Sequence, residues 1–381
     1  MTDKITKPNI GSEWRKWDLH VHSPASDGFS GTFDQFETQL KKADCDVIGI
    51  NDYFSVAGYK QIKEKIDKGD LDIGGKKILP VVEFRMTESV QNKNTTTNGA
   101  THFNFHIIFD DEIKIADIEN LIKGLKSNGT TISSDYDDKT KLKDKKISLD
   151  SLLTDLNQDE KFKNKFLLWL PYDEYGGIDE IDPSSDEWIK SNHIRTADIL
   201  GSSRQKQIDF FLWKSDLKTD GTAKFTQDQF RGWFLRKKAC IKGSDSHSQD
   251  YPIGKLMDKD SKPIEKYCWI KAEPTFEGLK QIVYEPETRI FIGEEKPKKP
   301  INTIDSIVLK IPADAKVGED KFCFAGNDNS YSLSPYFNCF IGGRGSGKST
   351  ILNFLGLHSN HPDSPKKFWD NLSPSFNPND N

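Results

Sequence analysis

The chain has 381 residues, a formal net charge of −5, 35% apolar and 30% charged residues. That length admits two domains, or one large domain and part of another. The mildly acidic balance excludes a global field that would draw the chain onto nucleic acid, though not a local basic groove. Cys45, Cys240, Cys268, Cys323 and Cys339 are scattered and odd in number, which argues against a disulfide framework or a thiolate zinc site and fits reduced thiols. No apolar run approaches bilayer length, and residues 1–11 lack a hydrophobic signal core, so a cytoplasmic protein without membrane contact is expected.

Strand and helix signals alternate along the chain. Trp17–His22 reads as a strand. Phe33–Lys42 reads as a helix with Thr32 as N-cap. Asp46–Ile50 is a short apolar strand, Tyr59–Ile66 a helix, and Lys77–Phe84 and Thr101–Phe109 are strands. Asp117–Lys126 follows as a helix. Ser127–Lys146, rich in Lys, Asp, Ser and Thr, reads as a solvated, mobile insertion. Ser148–Asn164 is a polar helix, Phe166–Leu170, Ala197–Leu200 and Ala239–Lys242 are strands, and Gln227–Lys237 and Phe276–Tyr284 are helices. The alternation points to βα units and a parallel sheet or barrel. Gly293–Pro300, with two prolines and five charges, is a linker. Beyond it come the strands Ile304–Ile311 and Lys321–Ala325, and then Phe337–Ile341 running into a glycine cluster. The domain boundary is placed near residue 298.

Alternate side chains share a face of a strand. Asp18, His20 and His22 are therefore expected to point one way, and two adjacent imidazoles make half of a tetrahedral metal shell. His-x-His alone is as easily a chance pair of polar residues. Four further segments shift the balance. Asp245-Ser246-His247 has the same spacing, His102 and His106 share a strand, and Glu83 and Asp52 each end one. Five of the eight histidines lie in these segments. In a parallel barrel, strand C-termini converge on one rim, where sites lie.

Asp18-Leu19-His20-Val21-His22-Ser23-Pro24-Ala25-Ser26-Asp27-Gly28, Ile48–Tyr53, Glu83, the His106 strand and Gly243-Ser244-Asp245-Ser246-His247 resemble, in order, the motifs of the polymerase and histidinol phosphatase (PHP) superfamily. The resemblance spans roughly residues 14–290. It implies an α/β fold, a distorted (β/α)7 barrel over 14–292, with a two- or three-metal phosphoesterase site. Carried over by position, His20 and His22 bind one metal with Glu83 and Asp245 beside it. Glu83 bridges to a second metal shared with His106, and Asp27 and His247 bind a third. Two positions depart from the family pattern. Asp52-Tyr53 stands where Asp-His is usual, and Leu170-Pro171-Tyr172-Asp173 stands where a further histidine is expected. Each loss removes a nitrogen ligand, leaving two metals, or three with the third held weakly. Asp52 and Tyr53 are the expected catalytic positions, Tyr53 as a weak ligand or a hydrogen-bond donor to substrate. Asp18 is expected to fix an imidazole tautomer, and His102 and His193 to be structural or at the surface. Mixed His and carboxylate ligands suit Zn, Mn or Fe better than Mg alone.

Near the end, Phe337–Ile341 leads into Gly342-Gly343-Arg344-Gly345-Ser346-Gly347-Lys348-Ser349-Thr350 and an apolar helical stretch, the strand, G-x4-G-K-[ST], helix pattern of a phosphate loop. Its backbone N–H groups are expected to wrap the phosphates of ATP, with Lys348 on the β and γ phosphates and Ser349 on Mg²⁺. The segment resembles the first lobe of Rad50-like and chromosome-maintenance ATPases. Together with the upstream domain it resembles the TrlF-like, PHP-linked ATPases of bacteria, which would make the complete form a possible dimer. After Thr350 only residues 351–381 remain, with no strand ending in the Asp-Glu that hydrolysis requires. Residues 301–381 are thus expected to form a partial lobe, incompetent as an ATPase, in a truncated product or a fragment. The leading expectation is a metal-dependent phosphoesterase, a nuclease acting on DNA or RNA and coupled to ATP binding, in DNA repair or phage defence. The alternatives are a small-molecule phosphatase and a non-catalytic nucleotide-sensing module.

Overall fold

The computed structural model describes residues 12–91, 100–173, 176–180, 183–214, 226–258, 260–317, 319–326 and 328–358. The chain divides into two compact units. One is Ser12–Pro297, and the other comprises 1–11 with 298–381. The expected N-terminal tail, apart from Ser12 and Glu13, and the tract from 359 onward lie outside the described residues. No helix among the described residues is long and apolar enough to cross a membrane.

The first unit is built on β1 (Glu13–Val21), α1 (Phe33–Lys42), β2 (Val47–Tyr53), α2 (Ala57–Asp67), β3 (Lys77–Gln91), β4 (Ala100–Phe109), α3 (Ile115–Gly124), α4 (Leu149–Gln158), β5 (Phe166–Pro171), α5 (Pro183–Thr196), β6 (Ile199–Gly201), α6 (Gln205–Phe211), α7 (Gln227–Phe234), β7 (Ala239–Ile241), β8 (Tyr267–Ala272), α8 (Phe276–Tyr284) and β9 (Ile290–Gly293). The nine strands form one mixed sheet in the order β9-β8-β1-β2-β3-β4-β5-β6-β7. The segment after β7 returns to β1, where Val21 bridges Ser246 and the His22 N–H donates to the Ser246 carbonyl at 3.0 Å. Strands β1 to β7 thereby come round into a nearly closed barrel, with β8 and β9 added antiparallel beside the N-terminal half of β1.

The parallel expectation holds for β1–β2–β3 and β5–β6–β7 but fails at β4, which is antiparallel to both neighbours. Only residues 92–99 separate β3 from β4, too few for the crossover that a parallel pair needs. His106 therefore enters from mid-strand, opposite Glu83, and not from a strand's C-terminal end. The interior core includes Trp17, Val47, Leu79, Val81, Ile108 and Trp169. The opposite face of β3–β5 carries Phe84, Phe105 and Leu168 into a second core under the helices. α1 starts at the expected cap, with Thr32 and Gln35 forming a reciprocal capping box.

The segment expected to be a mobile, solvated insertion is folded. Ser127 follows Lys126 into a short hairpin with Thr130–Thr131, then come a 3₁₀ turn at Ile132–Ser134 and a helical turn at Lys139–Leu142. Ile132, Tyr136, Leu142 and Ile147 are buried in the outer core. Four apolar anchors spread over a polar tract escape a composition-based reading. The strands β8 and β9 and the helices α5 and α6 were also not anticipated.

In the second unit, β10 (Ser306–Lys310) pairs antiparallel with β11 (Asp328–Ser332), and α9 (Lys348–His358) follows the glycine loop. Ile307, Phe322, Phe324, Ala325 and Ile351 make a small core. Residues 337–341 form no strand, and of the expected strand Lys321–Ala325 only Lys321 is in a two-residue strand.

Candidate metal centre

Four ligand atoms converge from β1, β3 and the segment after β7. His20 Nε2 lies 3.2 Å from His22 Nε2, 3.2 Å from Glu83 Oε2 and 3.2 Å from Asp245 Oδ1. His22 Nε2 lies 3.4 Å from Glu83 Oε2 and 3.5 Å from Asp245 Oδ1. A tetrahedral ion with bonds of about 2.0–2.1 Å has its ligands about 3.3–3.4 Å apart. Five of the six pairs among these four atoms thus lie at ligand spacing within a few tenths of an ångström, but Glu83 and Asp245 fall into different groups, so the four do not close round one point. The donor chemistry, two imidazole nitrogens and two carboxylate oxygens, fits a borderline divalent cation.

Local backbone features create this convergence. The register of β1 against β2 shifts between Asp18 and Val21, so the simple alternation expected for Asp18, His20 and His22 does not hold. Asp18 does not touch an imidazole. It accepts the Ser244 and Gly254 N–H groups at 2.9 Å each and ties the loop after β7 to β1. Gly243 lies so close to β1 that a Cβ there would meet His20 Cβ at 2.4 Å. Asp245 is left-handed, with φ of 54°, and its N–H donates to the His20 carbonyl. A non-glycine residue in this region stores strain that the surroundings must hold, a common feature of functional sites.

His22 is oriented from behind. Ser26 Oγ donates to Asp52 Oδ1 at 2.8 Å and lies 2.9 Å from His22 Nδ1. With its one proton given to Asp52, the hydroxyl accepts from Nδ1–H and leaves the His22 Nε2 lone pair free. Asp52 also accepts from Ser23 N and Ser23 Oγ. It therefore reaches His22 only through Ser26, a different place from the catalytic one expected.

Glu83 is held from the other side by Asn104 Nδ2 at 2.8 Å and Asn51 Nδ2 at 3.4 Å. Its Oε2 lies 4.0 Å from His106 Nδ1, which also faces Asn51 Oδ1 at 3.4 Å. His106 Nε2 and His20 Nδ1 are buried without a hydrogen-bond partner, and both rings pack on Trp169. His247 stacks on His22 at 3.8 Å, and Tyr53 Oη meets its Nε2 at 3.1 Å. His247 Nδ1 lies 3.4 Å from Asp245 Oδ1.

Among the described residues, two groups have ligand atoms close enough for a cation: His20, His22 and Glu83, and His22, Asp245 and His247. Asp27, expected as a third-metal ligand, belongs to neither. Its carboxylate pairs with Lys143 of the folded 126–147 segment, whose Lys139 donates to the Pro24 carbonyl. His102 Nδ1 faces the Met86 carbonyl at 3.1 Å, and His193 sits on α5; neither joins the cluster. Asn51, Asn104, Ser23 and Ser26 were not anticipated.

The electrostatics favour a cation. Burial pushes the Glu83 carboxyl up, but the hydrogen bond and charge of His20, with the hydrogen bond of His22, outweigh it and hold it well below the usual range. Asp245 is likewise lowered against burial, by His20 and His22. Burial pushes His22 down, yet Asp245 and Glu83 raise it to about 9; His20 is raised for the same reasons. Burial lowers His106 to about 3 and His247 to about 4, so both present neutral imidazoles.

No family model and no curated protein matches the chain. Fourteen chains of solved structures match it. One is endonuclease Q, in complex with a 27-mer duplex carrying an abasic lesion at the active site. It shows 14% identity and a TM-score of 0.39, over 73% of this chain and 58% of that one. Another, described as a metal-dependent phosphoesterase from Bifidobacterium adolescentis, shows 14% identity and a TM-score of 0.29, over 64% of this chain and 93% of that one. The chain thus spans less than two thirds of endonuclease Q. At these scores neither likeness carries an argument, so function rests on the side-chain geometry.

Proposed function

We propose that Ser12–Pro297 is a metal-dependent phosphoesterase domain of the PHP type that hydrolyses phosphodiesters of nucleic acid. The observation that carries it is the convergence of His20, His22, Glu83 and Asp245, with five of their six ligand-atom pairs 3.2–3.5 Å apart. His20, His22 and Asp245 would hold a first cation, with Glu83 shared toward His106 and a second. His247 offers a further nitrogen. When bound, paired divalent cations clamp a phosphate, activate water and stabilise a leaving oxygen. The protein's own part is to fix these ligands. Ser26, backed by Asp52, sets the His22 tautomer, Asn51 and Asn104 hold Glu83, and Trp169 keeps the floor dry. Tyr53, whose hydroxyl meets His247, would contact substrate.

The glycine loop is read as an ATP site. Gly345 and Gly347 take φ of 81° and 85°, conformations that favour glycine, and α9 begins at Lys348. The Lys348 ammonium lies on the Gly342 and Gly343 carbonyls at 2.7 Å each, folded over the cradle where phosphates would bind with Arg344, Ser346, Ser349 and Thr350 around them. Five free cysteines suit a reducing cytoplasm.

The test is incubation with Mn²⁺ or Zn²⁺ and labelled DNA, RNA and a phosphate monoester. Cleavage of polymer that is lost in His20→Ala with Asp245→Ala is expected. Turnover of the monoester alone would replace the nuclease reading, and no metal bound would overturn the enzyme.

A further inference from the structure

Arg85 is a charged residue on the same face of β3 as Glu83. On β3, Val81 packs in the interior core while Val82, Phe84 and Met86 pack in the outer one. Glu83 and Arg85 therefore share the inward face, about 6.7 Å apart along the strand. Arg85 stands opposite Asn104 in the β3–β4 register. Its Nε donates to Asn104 Oδ1 at 3.0 Å, and the same amide donates from Nδ2 to Glu83 Oε1. Asn104 is 5% exposed, and its N–H is tied to the Gly176 carbonyl. The Arg85 backbone is pinned by the folded segment, since the Ile147 N–H donates to the Arg85 carbonyl and the Thr87 N–H to that of Ile147. Among the described residues no other hydrogen bond or ion pair ends on its guanidinium.

An arginine buried halfway, gripped at Nε and with both Nη groups unspent, is oriented for a ligand. The fork of N–H donors matches two oxygens of a phosphate. Cations at His20, His22 and Glu83 would place a phosphoryl group within reach of a side chain of this length. We propose that Arg85 is a substrate-binding residue of this centre, its Nη groups donating to the non-bridging oxygens of the phosphoryl group there, with Asn104 as its pivot. This rests on the phosphoesterase reading above. It also gives Asn104 two tasks, aiming Arg85 and fixing Glu83, which couples phosphate recognition to the ligand set.

The test titrates the Mn²⁺-loaded full chain with inorganic phosphate by calorimetry and measures bound manganese per chain separately. Arg85→Gln is expected to retain the metal content and thermal midpoint of the wild type but to bind phosphate about ten- to a hundredfold more weakly, the effect of one charge-assisted contact. Arg85→Lys recovers part of the loss, since it restores the charge without the fork. Asn104→Ala is expected to lower manganese affinity as well. Unchanged phosphate affinity in Arg85→Gln overturns the proposal, as does a parallel loss of manganese, which would make Arg85 a support for Asn104 alone. A wild-type chain that binds no manganese sinks the phosphoesterase reading itself, and this proposal with it.

Discussion

Asp52 separates two accounts of the site, and replacing it by Asn tells them apart. Asp52 Oδ1 accepts both the Ser23 N–H and the Ser26 hydroxyl, while Oδ2 accepts only the Ser23 hydroxyl. A backbone N–H cannot reverse its role, so in Asp52→Asn the amide oxygen keeps the Oδ1 place. The NH₂ then faces Ser23 Oγ, which can turn to accept. Ser26 still donates to that oxygen, and the His22 Nε2 lone pair still faces the cluster. Asp52→Asn should therefore cost no more than about tenfold in metal affinity or turnover. Ser26→Ala should cost more. It removes the partner that a buried Nδ1 has among the described residues, about 1–3 kcal/mol, and frees the tautomer, an effect of about ten- to a hundredfold on metal affinity. The assay is competition of each variant with a fluorescent zinc chelator, followed by turnover on a phosphodiester at saturating metal. If Asp52→Asn keeps its metal but loses about a hundredfold or more in kcat, the size expected for a proton-transferring group, the carboxylate acts on the reaction directly and the relay through Ser26 is wrong.

Three further outcomes are expected. Glu83→Gln removes the carboxylate between the His20–His22 pair and His106, so metal analysis should find at most one tightly held ion per chain. Lys238 is buried with its ammonium on the Arg195 and Ala197 carbonyls, and burial lowers it from 10.5 to about 7. The unfolded chain then binds more protons between those values, so this group's contribution to stability rises from about pH 7 to about pH 10.5 and is lost as pH falls through 7. Urea unfolding of Lys238→Met should show a flatter rise over that window than the wild type. Leu142→Asp puts a charge into the outer core and should expose the 126–147 segment to limited proteolysis while leaving β1–β3 protected from hydrogen exchange.

The proposed ligands stand out in sequence because each lies in a short local pattern. His20-x-His22 and Asp245-x-His247 announce themselves by spacing, and Glu83 by ending an apolar run. Their supports do not, because cross-strand partners carry no mark in sequence. Asn104 meets Arg85 and Glu83 only through the β3–β4 register, and that register depends on β4 running opposite to the expected direction. Asn51 reads as one more polar residue before Asp52 until Glu83 and His106 are brought to either side of it. The 126–147 segment failed for a different reason. Its composition is that of a solvated loop, yet a few buried anchors hold it, and its lysines pair with Asp27 and with Asp135.

Charge balance links these pieces. Of the carboxylates in and around the cluster, Asp52 is spent on serine and backbone donors, Asp18 on backbone N–H groups, and Asp27 on Lys143. Glu83 and Asp245 alone remain to face cations, two negative charges for ligands that are otherwise neutral once metal displaces the protons of His20 and His22. One divalent ion neutralises that pair. A second would leave the ligand set itself with a net double positive charge, offset only at a distance by the carboxylates of Asp52 and Asp18 behind it, which favours the arrival of an anion. A phosphate ester is that anion, and Arg85 adds one more positive charge facing it. On this reading the second cation and the substrate bind cooperatively, each supplying the charge that the other's burial requires. Releasing Asp27 from Lys143 would weaken that dependence by adding a third carboxylate to the site.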